Sequence, residues 1–281
     1  MIPVKTFQDL FPSAMASVIS PPQGITLPWW PRMNEFVGGL RKHELTLLCA
    51  PTGAGKTALL ANVVAQMMES ATPTLAVPVE TGDIDFVTRV TSAIVGQDIN
   101  DGRPLALSAL SALTSPHRTM LEASQVLVAG YDNRVDVMDM VNLMTKLNGD
   151  MGIELAVLDN LNFLLNVSSA QNALIEMDRA VHELVMHVKR IPMHVILVVH
   201  PKKTEGGRVE SEFDIKGSST AVQEAANVIL FNRPKPVDIE QGARLFSDRE
   251  LVFKKIRRRG QNVNKPLWFG FKNYQYREYL K

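Results

Sequence analysis

Apolar positions along the chain fall into two patterns that take turns. Short apolar, β-rich runs, several of them apolar on consecutive residues, are Glu44–Cys49, Thr74–Val79, Gln125–Ala129, Leu155–Leu158, His194–Val199 and Asn227–Phe231. Such runs read as strands buried on both faces, since a strand with helices above and below has no polar face to present. Between them Lys56–Glu69, Phe86–Ile94, Val135–Leu147 and Leu174–Lys189 carry helical spacing. In the last, Leu174, Met177, Val181, Leu184, Val185 and Val188 recur every three or four residues and form one stripe. Strands alternating with helices predict an α/β fold, a mostly parallel central sheet with crossover helices on its faces.

Both ends depart from this rhythm. Leu251–Ile256, Leu267–Phe271 and Tyr274–Tyr279 read as short strands whose brief links make them an antiparallel extension. Asn232–Glu250, with two prolines and several charges, reads as an exposed connection. At the other end Thr6–Ser20 reads as a small amphipathic helix with Phe7, Leu10, Phe11 and Met15 on one side. Pro21-Pro22 and the run Pro28-Trp29-Trp30-Pro31 set it apart, so residues 1–30 form an arm and residues 31–281 the body. A helix that short is marginal in water unless it packs on something.

Composition narrows the class. With 46% hydrophobic and 21% charged residues, the 281-residue chain is ordinary globular protein rather than disordered or fibrous. The single cysteine, Cys49, cannot close an internal bridge, which fits a reducing compartment. No apolar run approaches the roughly 18 residues that span a bilayer, and Met1–Phe11 lacks the basic-then-apolar pattern of a signal peptide. A cytoplasmic protein without a membrane partner is expected. The net charge of +1 conceals an asymmetry: residues 251–281 carry nine lysines and arginines against one acid, Glu278.

The chemistry begins after the first body strand. Ala50-Pro51-Thr52-Gly53-Ala54-Gly55-Lys56-Thr57 stands between a strand and a helix, the setting of a phosphate-binding loop. Glycines let the backbone N–H groups turn inward around phosphates, and the helix N-terminus adds its positive end. Thr52, Gly53, Ala54 and Gly55 would form the cradle, Lys56 would reach the β/γ-phosphates, and the Thr57 hydroxyl would hold Mg²⁺. Ala50 stands where the strict motif has glycine. Glu154-Leu155-Ala156-Val157-Leu158-Asp159 is an apolar strand ending in an acid, so Asp159 is the second Mg²⁺ candidate, partly through water. Glu80 and His200 end two further strands: Glu80 is the candidate for activating the attacking water, His200 for contacting the γ-phosphate. ATP, or another nucleoside or deoxynucleoside triphosphate, with Mg²⁺ is the expected ligand.

The order of these motifs resembles that of one group of proteins. Leu40-Arg41-Lys42-His43-Glu44-Leu45, the phosphate loop, Val79-Glu80, Leu158-Asp159 and Val198-Val199-His200-Pro201-Lys202-Lys203 follow one another as in the RecA-like P-loop NTPase motor domain of DnaB-family ring helicases. Lys216-Gly217-Ser218-Ser219, Ala225-Ala226-Asn227-Val228 and Lys255-Ile256-Arg257-Arg258-Arg259-Gly260 continue the match. The histidine at the end of the sensor strand is similar to the phage primase-helicase and Twinkle branch. The resemblance runs from about Trp30 to the C-terminus.

It implies an ATP-dependent DNA helicase or single-stranded DNA translocase of replication, working as a hexameric ring with ATP hydrolysed at subunit interfaces. Lys255 and Arg257 would reach a neighbouring subunit's ATP, and Lys202, Lys203, Arg208, Lys216, Gly217 and Ser218 would line the channel that holds the DNA. The Thr6–Ser20 helix resembles the linker helix by which such rings dock on a neighbour. A separate primase, loader or polymerase is an implied partner, since residues 1–30 leave no room for a collar domain. Two other readings stay open: a RecA/RadA-like recombinase or annealing ATPase, and a non-translocating ATP-switched module such as a helicase loader.

Overall fold

A computed structural model describes residues 5–20, 23–99, 113, 115–130, 135–161, 173–202, 208–215, 219–242, 244–257 and 263–279. The described strands form one nine-stranded sheet in the order β3-β2-β4-β5-β1-β6-β7-β8-β9. They are β1 Glu44–Cys49, β2 Thr74–Pro78, β3 Val126–Val128, β4 Leu155–Asp159, β5 His194–Val199, β6 Asn227–Asn232, β7 Arg249–Ile256, β8 Pro266–Lys272 and β9 Gln275–Glu278. From β3 through β6 every pairing is parallel; β6 to β9 are antiparallel.

The helices are α1 Phe7–Ile19, α2 Pro31–Val37, α3 Lys56–Glu69, α4 Asp83–Val95, α5 Ser115–Ala123, α6 Val137–Met151, α7 Ala173–Val188, α8 Ser219–Glu224 and α9 Pro236–Glu240. They cover both faces of the parallel part, which explains its consecutive apolar residues. In β1, Leu45, Leu47 and Cys49 belong to the core beneath α6 and α7, while Leu48 belongs to the opposite core beneath α2, α3 and α4. None of the described helices is long and apolar enough to cross a membrane.

The six parallel strands and their four main helices lie where the apolar pattern predicts them, within a few residues. Three differences are instructive. Pro28-Trp29-Trp30-Pro31 is not a spacer: Trp30 is fully buried, stands edge-on to Phe269 at 5.3 Å and donates its indole N–H to the Tyr276 carbonyl (2.8 Å). The core therefore begins at Leu27, inside the expected arm. Asn232–Glu250 is not simply an exposed connection either. It holds α9 and ends in Asp248, Arg249 and Glu250, all buried despite their charge: Asp248 accepts from the Tyr279 hydroxyl, Arg249 donates to the Ala54 carbonyl in the phosphate loop, and Glu250 pairs with Arg208. Helix α1, begun by a Thr6–Asp9 capping box, buries no residue, and Phe7, Val18 and Ile19 are exposed.

Candidate nucleotide site

The strand order decides which residues can meet. Strands β2, β4, β5, β1 and β6 are neighbours running the same way, so residues just past their C-terminal ends stand in one row, the crevice where open α/β sheets bind ligands. In that row are Glu80, Asp159 with Asn160, His200, the loop 50–57 and Arg233. Hydrogen bonds tie the row together: the Glu80 N–H donates to the Asp159 carbonyl at 3.3 Å.

The loop has the conformation that its glycines permit. Gly53 and Gly55 take φ of +75° and +95°, a region costly for any side chain bearing a Cβ. Gly55 is the N-cap of α3, and no side chain caps that end, so the first N–H groups of the helix are left to an anion. Lys56, the next residue, buries its side chain to 7% exposure and aims Nζ across the crevice. There it donates to Glu80 Oε2 and lies 3.6 Å from Asp159 Oδ1.

Around Glu80 the network closes. Asn160 Nδ2 donates to Glu80 Oε2 at 2.6 Å and lies 2.9 Å from His200 Nε2, which is itself 3.6 Å from the same carboxylate. Burial pushes the Glu80 carboxyl upward, but Lys56, Asn160 and His200 together outweigh it and hold the group below the ordinary glutamate range. Asp159, 1% exposed, behaves in the opposite way: burial raises its carboxyl, and the Lys56 charge does not fully offset this. Thr57 Oγ1 points at Asp159 Oδ2 from 3.5 Å, and Thr81 Oγ1 approaches Thr57 Oγ1 at 3.4 Å. Asp159 Oδ1 is buried, and apart from the Lys56 ammonium at 3.6 Å it has no donor. A buried carboxylate oxygen held only by a lysine that phosphate would draw away, beside a threonine hydroxyl, is a donor set that suits a hard divalent cation. No cluster of three acidic, histidine or cysteine ligands occurs among the described residues, so such an ion would need phosphate oxygens and water to complete its shell.

Next to the loop opens a cavity of about 390 Å³, lined by Pro51, Thr52, Ala54, Arg208, Arg233 and Phe246 among others. Arg233 donates from Nη2 to the Gly53 carbonyl (2.5 Å), and its guanidinium lies 4.7 Å from the centre of the Phe246 ring. The cavity has room for the nucleoside part of a nucleotide whose phosphates occupy the loop.

Five of the sequence-derived residues, Lys56, Thr57, Glu80, Asp159 and His200, therefore converge. Thr52, Gly53, Ala54 and Gly55 form the loop beside them. Lys255 and Arg257 do not join. Antiparallel β7 carries them to the opposite end of the sheet, where Ile256 pairs with Asn227 at the start of β6. Lys255 Nζ donates there to the Val222 and Gln223 carbonyls, and Arg257 Nη2 to that of Glu224 (2.9 Å).

Of the six residues assigned to a DNA surface, Lys203, Lys216, Gly217 and Ser218 lie outside the described residues. Lys202 Nζ donates to the Phe213 carbonyl at 2.8 Å. Arg208 is held against the body: its guanidinium pairs with Glu250 and Glu210 and donates to the Arg233 carbonyl.

Asn160, Thr81 and Arg233 escaped the sequence reading. Asn160 and Arg233 immediately follow the ends of β4 and β6, so the reasoning that finds Glu80 and His200 at strand ends also finds them. Thr81, one residue past Glu80, has no such marker.

Residues 29–278 match the family model described as the DnaB-like helicase C terminal domain. The ATPase domain of a helicase superposes with a TM-score of 0.83 at 13% identity, over 99% of this chain and 100% of that one. A DnaB-like replicative helicase, solved in a study of its interactions with primase, gives 0.78 at 14% identity, over 98% of this chain and 67% of that one. A KaiC-like protein from the hyperthermophilic archaeon Pyrococcus horikoshii OT3 gives 0.63 at 16% identity, over 92% and 100%. At these identities the solved structures bear on the fold, which is RecA-like; the family rests on the model match.

Proposed function

The chain belongs to the DnaB-like helicase C-terminal domain family, whose members hydrolyse ATP, and on that footing we propose that it is the motor of a hexameric ring that moves along single-stranded DNA in replication. The observation that carries this reading is the split between the two ends of the sheet. Lys56, Glu80, Asn160 and His200 form one hydrogen-bonded network at one end, and Lys255 and Arg257 stand at the other. A cation that cannot face its own phosphate loop can face that of the next copy in a head-to-tail ring, a heterologous interface that closes on itself.

Chemistry then follows from the residues present. The N–H groups opening α3 and the Lys56 ammonium bind the β- and γ-phosphates, which draws Lys56 away from Glu80. Thr57 and Asp159 would hold Mg²⁺, which neutralises charge on the phosphate oxygens. Glu80, released from Lys56 but still held by Asn160, orients a water against the γ-phosphate and accepts its proton. His200, in contact with the same Asn160, registers the loss of the γ-phosphate and passes it to the segment from Pro201 onward. Lys255 and Arg257 of an adjacent subunit would stabilise charge as the phosphoryl group transfers, an effect worth roughly 10³–10⁵ in rate.

Lys202 with Lys203, Lys216, Gly217 and Ser218 would face DNA phosphates in the channel. With about two phosphates neutralised per engaged subunit, affinity falls steeply with salt. Arg208, paired with Glu250, is better read as tying this segment to the nucleotide site than as a DNA contact. The apolar side of α1 would dock on a neighbouring subunit.

Mass photometry with a non-hydrolysable ATP analogue, with and without single-stranded DNA, tests assembly. Six-subunit particles are expected; monomers under every condition overturn the reading. Unwinding of a forked duplex separates a helicase from a filament-forming recombinase or a stationary switch.

A further inference from the structure

Behind the phosphate loop lies a pair of side chains that belongs to none of the groups above. Arg249, at the start of β7, is 8% exposed and sends its guanidinium into the back of the loop: Nε donates to the Ala54 carbonyl, and Nη1 donates to the carbonyls of Phe246 (3.0 Å) and Asp248 (2.7 Å). The hydroxyl of Tyr276, a residue 1% exposed on β9, lies at the same place behind the loop. That hydroxyl occupies the space where a side chain at position 55 would begin: a Cβ built on Gly55 would stand 2.5 Å from Tyr276 Oη and 3.6 Å from Arg249 Nε.

The pair is held firmly. The Tyr276 N–H donates to Asn62 Oδ1 (2.7 Å) and Asn62 Nδ2 to the Tyr274 carbonyl (3.0 Å), so β9 is fastened to α3, the helix the loop opens. Phe231 packs edge-on to the Tyr276 ring at 5.6 Å.

We propose that Arg249 and Tyr276 are positioning residues for phosphate binding: Arg249 holds the Ala54–Gly55 peptide with its carbonyl to the rear, and the Tyr276 hydroxyl, filling the space behind Gly55, keeps position 55 bare. In a trans peptide the carbonyl and the following N–H point to opposite sides. Fixing the Ala54 carbonyl against the buried guanidinium therefore turns the Gly55 N–H toward the open, phosphate-facing side of the loop. The guanidinium's hydrogen bonds go to main-chain carbonyls, with no carboxylate among them in the described residues. The neighbouring Asp248 carboxylate is the weakest of the influences on it, so its charge remains to act on an anion in front of the loop, in a setting less screened than water.

The proposal rests on reading residues 50–57 as a nucleotide cradle, and the test separates the two. Dissociation constants for ATP, ADP and AMP are measured by displacement of a fluorescent ATP analogue from wild-type protein and from Arg249→Met, Arg249→Lys and Tyr276→Phe. For Arg249→Met, ATP and ADP should each bind about tenfold more weakly, the scale of a lost charged hydrogen bond, while AMP changes less than about twofold. Tyr276→Phe should repeat the pattern at roughly threefold, and Arg249→Lys, which keeps the charge but not the fork, should recover part of the loss.

A merely structural role would weaken all three nucleotides alike, and that result overturns the proposal. So does wild-type affinity for ATP in a variant with a native circular dichroism spectrum. Should Arg249→Met not fold, Tyr276→Phe, which removes one oxygen and keeps the ring packed, decides alone. Failure of the wild-type protein to bind the analogue refutes the cradle reading instead.

Discussion

Replacing Glu80 by glutamine separates catalysis from binding, because the two effects should run in opposite directions. Glutamine keeps the length and one acceptor oxygen for Asn160 but loses the charge that holds Lys56. The Glu80 side chain is 42% exposed, so its ion pair with Lys56 is discounted to the value of a solvent-screened pair, about 1 kcal/mol. Nucleotide must displace that pair before Lys56 reaches phosphate; without it, ATP should bind about fivefold more tightly. Turnover should move the other way. Loss of a group that orients water and takes its proton costs roughly 10²–10⁴ in kcat, about 3–5 kcal/mol of barrier. The assays are a coupled ATPase measurement and titration with a fluorescent ATP analogue on the same preparation. Undiminished kcat would refute the assignment of Glu80, and weaker ATP binding would refute the claim that Lys56 is parked on it.

Three further outcomes follow from two buried side chains and one tight backbone contact. Asp159→Asn removes a carboxylate whose pKa burial raises; such a group favours folding below its unfolded pKa and loses that contribution as pH rises through the folded one, so at pH 7 its charge is a cost. The variant should melt no lower than wild type in nucleotide-free buffer at pH 7 yet lose at least about tenfold in Mg²⁺-dependent ATP affinity, and a lower melting point with Mg²⁺ dependence intact contradicts this. His194 is fully buried, lies 2.7 Å from the Arg41 carbonyl and 3.0 Å from the Thr46 hydroxyl, and burial lowers its pKa from 6.5 to about 4. A depressed histidine stabilises above its unfolded pKa and loses this as pH falls through the folded value, so urea midpoints should drop between pH 7 and pH 4 by an amount worth about 3 kcal/mol more than in His194→Gln. Equal pH dependence in the two proteins would count against it. Gly24 and Gly39 pack backbone to backbone, and a Cβ on Gly24 would meet the Gly39 carbonyl carbon at 2.4 Å. Gly24→Ala should therefore lower the melting temperature by roughly 5 °C, given about 1–3 kcal/mol for such overpacking, and an unchanged melt would contradict the close approach.

Much of the site was legible because it is local. A strand, a glycine loop and a helix in succession place Lys56 and Thr57, and the residue closing each apolar run identifies Glu80, Asp159 and His200 before any fold is known. The helix α2 was missed although Pro31 at its start and Gly38 at its C-cap, with φ of +76°, are ordinary helix signals. The run Pro28-Trp29-Trp30-Pro31 that leads into it looks like a spacer, and nothing local says that Trp30 will pack on Phe269, far along the chain. Asp248, Arg249 and Glu250 were hidden for the reverse reason: three charges in a row suggest solvent, and only the antiparallel register of β7 carries them behind the phosphate loop. The same register separates Lys255 and Arg257 from the loop, which no spacing in the sequence could reveal. The basic surplus at the end of the chain thus has no single destination: Arg277 lies 4.2 Å from the Trp29 ring centre, while Lys255 and Arg257 grip the end of α8.

ATP turnover per subunit, followed as protein concentration rises with and without single-stranded DNA, tests the central claim most directly. A site completed by Lys255 and Arg257 of a neighbour predicts negligible turnover from dilute monomers. It also predicts a per-subunit rate that climbs with assembly and with DNA, and loss of that rise in Arg257→Ala. A per-subunit rate that is appreciable, independent of concentration and indifferent to DNA and to Arg257 would show that each chain hydrolyses ATP alone, and would contradict the ring motor.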